Sequence, residues 1–95
     1  MKKDIIEKIT SNTYRVLKIL YLNQAKLANG EMIIYITQQN VADELSLSII
    51  SRNSIFKELM ENNLVIQKGR GKYQLTSESN NIVKNIEKLG KGENK

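Results

Sequence analysis

The 95-residue chain contains no cysteine, no histidine and no proline, and only five glycines. Without cysteine there is no disulfide framework. Without cysteine or histidine there is no zinc site of the usual donor set, and no Ser-His or Cys-His nucleophilic pair. No metal or cofactor is therefore expected. The carboxylates are scattered, and the adjacent pair Asp43-Glu44 should point to different faces of a helix. No glycine-rich phosphate loop is present. These absences leave little from which to build an enzyme. No apolar run approaches the roughly 20 residues of a membrane span, and Met1-Lys2-Lys3 is followed by acidic Asp4 rather than by a signal-peptide core. The expectation is a cytoplasmic protein with no membrane partner. The missing proline, beside abundant Lys, Asn and Ile, suggests an AT-rich coding sequence.

What is present is enough for one modest core. Hydrophobic residues make up 40% of the chain. The length predicts a single domain, placed at residues 1–89, with residues 90–95, Gly90 and the KGENK after it, as a disordered tail. A domain this small buries a limited share of its surface and often gains from dimerisation. Net charge is +5. A mildly basic surface is common in small soluble domains, but it also suits a polyanionic partner.

Residues 37–63, TQQNVADELSLSIISRNSIFKELMENN, carry the strongest pattern. Thr37 can cap a helix in which Val41, Ala42 and Leu45 share a face. Ser46-Leu47-Ser48 makes a tight turn, and Ser48 can cap a second helix. A wheel at about 100° per residue groups Ile49, Phe56, Leu59 and Met60, with Ile50, Ser51, Ser54, Lys57 and Glu61 opposite. Asn63 stands where that helix should stop, since Asn tolerates a left-handed backbone. Leu64-Val65-Ile66 and Tyr73-Gln74-Leu75 read as strands around the basic loop Gln67-Lys68-Gly69-Arg70-Gly71-Lys72.

Two short helices, a tight turn and a hairpin resemble a winged helix-turn-helix, and the resemblance covers about residues 12–89. "TQQNVADEL" and "LMENNLV" are similar to that family's T-x-x-x-[IVL]-A-x-x-L and L-x-x-x-x-L-[IV] elements. The fold class so implied is mainly α with a small antiparallel β-sheet, dimeric through the first and last helices. The resemblance also implies binding of double-stranded DNA by a homodimer, with half-sites about 34 Å apart. The second motif helix would enter the major groove and the wing the adjacent minor groove. Ser51, Asn53 and Ser54 would then lie near base edges, with Ile50 able to meet thymine methyl groups and Ser48 close to phosphate at the helix N-terminus. Lys57, Lys68, Arg70 and Lys72 would contact phosphates, with Arg70 suited to a narrow A·T-rich minor groove. Thr37 and Gln38, at the start of the first motif helix, are further candidates for DNA contact. Arg52 departs from the family pattern, because an apolar residue usually stands there. Either its stem packs and its head snorkels out, or it reaches DNA, and it could pair with Asp43 or Glu44. From Ser46 to Lys72, five cations face two acids, a net +3 in the segment that should meet the duplex.

The remaining segments frame this motif. Ile5, Ile6 and Ile9 fall at helical spacing, as an apolar stripe for docking or as part of a basic arm. Residues 12–29 read as a long first helix, ended by Asn29-Gly30, whose apolar surface, from Tyr14 and Val16 to Tyr21 and Ala25 or Leu27, is broad enough to meet a second copy. Met32 to Ile36 reads as a small edge strand joining the wing in a three-stranded sheet. Thr76 can cap a last helix with Ile82, Val83, Ile86 and Leu89 on one side, which could pack on the first helix or on a partner. Two biological roles compete. One is a repressor similar to ArsR- or MarR-like regulators. The other is a maintenance protein similar to the centromere-binding adaptors of tubulin-type plasmid partition systems, or to Firmicute plasmid replication proteins. The "YITQQ…VADEL" stretch and the wing element Gly69-Arg70-Gly71-Lys72-Tyr73 carry that second likeness. A winged helix used for protein interaction or RNA binding is the alternative of a different class.

Overall fold

The computed structural model describes residues 11–90. The isoleucine stripe of residues 1–10 and the tail expected beyond residue 90 fall outside the described residues. Among the described residues, four helices, α1 (Asn12–Leu22), α2 (Gln38–Leu45), α3 (Ile49–Glu61) and α4 (Ser77–Gly90), accompany four strands, β1 (Gln24–Lys26), β2 (Met32–Tyr35), β3 (Val65–Gly69) and β4 (Lys72–Leu75). The mainly helical fold with a small antiparallel sheet agrees with the sequence expectation.

The first helix is shorter than expected. Ser11 caps it by accepting the Tyr14 N–H at 3.1 Å. It stops at Leu22 because Asn23 turns back on the last turn. The Asn23 N–H bonds to the carbonyls of Ile19 and Leu20, and its side-chain amide donates to the Ile19 carbonyl at 2.7 Å. Residues beyond it form β1, which pairs antiparallel with β2 (Gln24 opposite Ile34, Lys26 opposite Met32). Asn29-Gly30 is therefore a hairpin turn and not a helix terminus. Gly30 sits at φ +93°, where a side chain would be strained, and its N–H closes the turn onto the Leu27 carbonyl at 2.9 Å. The sheet accordingly has four strands in the order β1-β2-β4-β3 instead of three, and β2 lies inside it instead of at an edge. β2 meets the wing strand β4 with Ile34 opposite Tyr73. In the wing itself, Lys68 falls in a register break between Gln67 and Gly69.

The core lies between the sheet and the helices. Phe56, Leu20, Ile34, Leu59, Val16 and Val41 are fully buried. Each such side chain contributes about 1.5–3 kcal/mol by leaving water. α1 supplies Tyr14, Val16, Leu17, Ile19 and Leu20 to this core, because α2, α3 and α4 all pack against it. The breadth of its apolar surface is thus used within the chain. α4 is capped by Thr76, whose hydroxyl accepts the Ser79 N–H at 3.2 Å. It buries Val83 and Ile86 and leaves Leu89 58% exposed. Among the described residues, no helix is long and apolar enough to cross a membrane.

The helix-turn-helix is closed by backbone geometry. Thr37 and Asn40 form a reciprocal capping box at the start of α2. α2 ends with Ser46 at φ 57°, the Leu47 N–H reaching the Ala42 carbonyl at 2.8 Å. α3 ends in the same way, with Asn63 at φ 57° and the Leu64 N–H on the Leu59 carbonyl at 3.0 Å. These bonds satisfy carbonyls that a helix terminus leaves unpaired. Both left-handed positions are held by residues other than glycine.

Candidate nucleic-acid interface

α3 presents a different buried face from the one the wheel predicted. Ile55, Phe56 and Leu59 are buried, whereas Ile49 is 61% exposed and Met60 only half-buried. Ile49 belongs to the first turn, which projects beyond the core, so its place on the wheel does not bury it. Arg52 falls between Leu59 and Phe56 in the helical projection, where its side chain is half-buried. Its guanidinium emerges to donate from Nη1 to Gln39 Oε1 at 2.6 Å, and from Nε and Nη2 to Asn53 Oδ1 at 3.2 and 3.1 Å. Gln39 in turn donates to Asp43 Oδ1 at 2.7 Å. Arg52 thus reaches Asp43 only through Gln39, in place of the direct pairing with Asp43 or Glu44 considered from sequence. The Gln39/Asp43 spacing of four residues was the available signal for that link.

The wing is tied to the start of α2. The Gly71 carbonyl accepts the Ile36 N–H at 3.2 Å. Gly71 lies against the Thr37 methyl group, since a Cβ there would meet Thr37 Cγ2 at 3.9 Å. Its φ of +68° lets Arg70-Gly71 turn the hairpin. One residue along, the Gln38 side-chain amide donates to the Tyr73 hydroxyl at 3.1 Å, and the buried Tyr73 ring lies 5.7 Å from Phe56 on α3. Wing, α2 and α3 are therefore joined through three side chains that the sequence did not connect. Between α2 and α3 runs an open groove of about 450 Å³, with Phe56 and Met60 as its apolar lining and Gln38, Asn53, Lys57 and Glu61 as its polar residues.

The candidates divide by state. Lys57, Lys68, Arg70 and Lys72 are exposed, and none makes an ion pair among the described residues. Ile50, Asn53 and Ser54 are exposed on α3 and Ser51 is half-buried. The Ser48 hydroxyl is engaged as the cap of α3, accepting the Ser51 N–H at 3.1 Å. Thr37 is engaged with Asn40 and Gln38 with Tyr73, so both act within the scaffold as well as standing at its surface. Glu58, one turn along from Ser54, accepts weakly from Thr13 on α1 at 3.5 Å. The described ion pair, Lys18 with Glu87 at 3.2 Å, joins α1 to α4. Glu87 also accepts from the Tyr14 hydroxyl at 2.6 Å. Burial first, and then this carboxylate, push the Tyr14 hydroxyl well above the usual tyrosine range.

Two helices joined at a tight turn, with a basic hairpin against the first of them, make a winged helix-turn-helix. No family model and no curated protein matches the chain. Solved structures do. The chain is similar to the reduced (FeII) CO-sensing protein from R. rubrum, at 13% identity over 88% of this chain and 38% of that one, with a TM-score of 0.68. It is similar to reduced CprK in the absence of any ligand, at 13% identity over 81% of this chain and 38% of that one, with a TM-score of 0.58. A transcriptional regulator of the CRP/FNR family from Thermus thermophilus matches at 17% identity over 94% of this chain and 46% of its own, with a TM-score of 0.56. The chain spans less than half the length of each. The likeness is one of fold. The family named among these neighbours is CRP/FNR, not the ArsR- or MarR-like regulators of the sequence resemblance.

Proposed function

We propose that the protein is a non-catalytic, double-stranded-DNA-binding regulator that acts as a homodimer in the cytoplasm. α3 would lie in a major groove, and the wing tip at Arg70 in the neighbouring minor groove of an A·T-rich site. The observation that carries this reading is that the turn of the basic hairpin packs through Gly71 on the start of α2, whose Gln38 lines one groove with Lys57 of α3. The helix and the hairpin together carry four exposed cations that make no ion pair among the described residues. Phosphate contacts would fix its position and exposed α3 residues would supply sequence preference. The likeness to a CRP/FNR-family transcriptional regulator supports a regulatory role. For the dimer, Leu22 on α1 and Leu89 on α4 keep 67% and 58% of their surface exposed.

A second reading shares the same interface. The Gly69-Arg70-Gly71-Lys72-Tyr73 wing, similar to that of plasmid partition adaptors, favours a maintenance protein that coats repeated sites. Footprinting on the DNA that flanks the gene, at two salt concentrations, separates these readings. One short palindrome protected by one dimer supports the regulator. Protection spreading over tandem repeats supports the partition role. Absence of salt-dependent protection there and on genomic DNA refutes both, and leaves a winged helix used for protein interaction.

A further inference from the structure

The most exposed large apolar residue described is Ile50, at 80%, and Ile49 beside it is 61% exposed. Together they form the outer first turn of α3. At about 100° per residue, Ile50 shares its face with Ser54 and Lys57 and stands opposite Ile55 and Leu59. Among the described residues, burial therefore does not account for Ile50, and Ile49, although it projects beside Phe56 and Met60, is left largely uncovered as well. Of the polar groups around them, those of Ser48 and Asn53 are engaged within the protein, whereas the Ser51 and Ser54 hydroxyls make no hydrogen bond among the described residues. The Ser48 hydroxyl caps the helix, and Asn53 Oδ1 accepts two bonds from Arg52. The largest side chains that α3 offers at this end are thus apolar, while Lys57 shares the face of Ile50 and the basic wing packs through Gly71 on the start of α2. A partner must be polyanionic around the contact and apolar at its centre. Duplex DNA meets both demands where a pyrimidine C5-methyl group projects into the major groove between the phosphate strands. Isoleucine suits such a contact, because its branched side chain has little rotamer freedom to lose.

We infer that Ile49 and Ile50 are a methyl-reading pair, selecting duplexes whose major groove carries the C5-methyl of thymine. 5-Methylcytosine bears the same group at the same position and would be accepted in its place. The inference rests on the reading of α3 as the helix that enters the major groove.

The test compares two short alternating duplexes, one of A·T and one of A·U pairs, at low salt by fluorescence anisotropy. They present the same minor-groove groups and differ only by the methyl. The intact protein should bind the uracil duplex roughly tenfold more weakly, the loss expected for two methyl contacts. The Ile49→Ala/Ile50→Ala variant should bind both equally, at about the wild-type affinity for the uracil duplex. Its helical circular dichroism should be unchanged, since neither side chain belongs to the core. Equal wild-type affinity for the two duplexes overturns the inference while leaving DNA binding intact. A variant that keeps the preference overturns the assignment to these residues. Failure to bind either duplex, or a G·C duplex beside them, overturns the DNA-binding reading and the inference with it.

Discussion

Removing the charge at the wing tip gives the sharpest quantitative test of the interface. Arg70 is exposed, next to Gly71 and beside the start of α2, and makes no ion pair among the described residues. Arg52 does not count as a comparable contact, because Gln39 and Asn53 hold its guanidinium. That leaves Lys57, Lys68, Arg70 and Lys72 for phosphates. If each neutralises one phosphate, four contacts per protomer give a slope of log affinity against log salt of about −3.6. Raising salt fourfold should then weaken binding roughly 150-fold. Arg70→Ala should bring the slope to about −2.7 and that loss to roughly 40-fold. A dimer doubles both slopes, so the informative quantity is their ratio, a drop of about one quarter. Anisotropy titrations of a labelled duplex across a salt series measure it directly. Affinity that falls while the slope stays the same would place Arg70 outside the phosphate contacts, and an unchanged affinity would remove the wing from the interface.

Three further predictions bear on the scaffold and the recognition face. Ser54→Glu should abolish duplex binding, by setting a carboxylate against phosphate, with the circular dichroism spectrum retained; preserved affinity would mean that another face of α3 meets DNA. Ser46→Gly should raise stability by about 0.5–1 kcal/mol in urea denaturation, since Ser46 holds a left-handed backbone that costs a non-glycine residue energy, and a loss of stability would refute the strain. The buried Tyr14 hydroxyl titrates above its unfolded value, so the stability that accompanies its proton is present below pH about 10 and is lost as pH rises beyond it. Tyr14→Phe should flatten the stability profile on the alkaline side, and an equally steep fall in the variant would trace the effect to another group.

The motif was legible because its signals are local. Thr37, Ser48 and Asn63 are capping residues at the spacing that two short helices need, and the structure uses all three in those roles. Basic residues around Gly71 marked the wing for the same reason. The end of α1 was hidden because Leu22 to Ala28 contains neither glycine nor proline, and its apolar residues continue a helical pattern. The decision is made by Asn23 folding back and by pairing with β2, a contact between segments that periodicity does not weigh. Ile49 was misplaced for a different reason. A wheel treats every turn as equally covered, whereas the first turn of α3 overhangs the core. The Arg52–Gln39–Asp43 chain and the Gln38–Tyr73 bond depend on the distance between elements, so composition could point to the residues but not to their partners.

The sheet's two outer strands have a consequence for the chain at high concentration. An open edge offers unpaired N–H and C=O groups as a template on which another chain can polymerise. Here one edge is β1, only three residues long and ending in Lys26. The other is β3, whose regular pairing with β4 breaks at Lys68 and whose exposed Ile66 would otherwise favour sticking. Shortness at one side and a charged irregularity at the other deny a second molecule a flat ladder to extend. Deleting Lys68 would restore a regular strand, and with it a tendency to form cross-β aggregates that turbidity and thioflavin fluorescence would report.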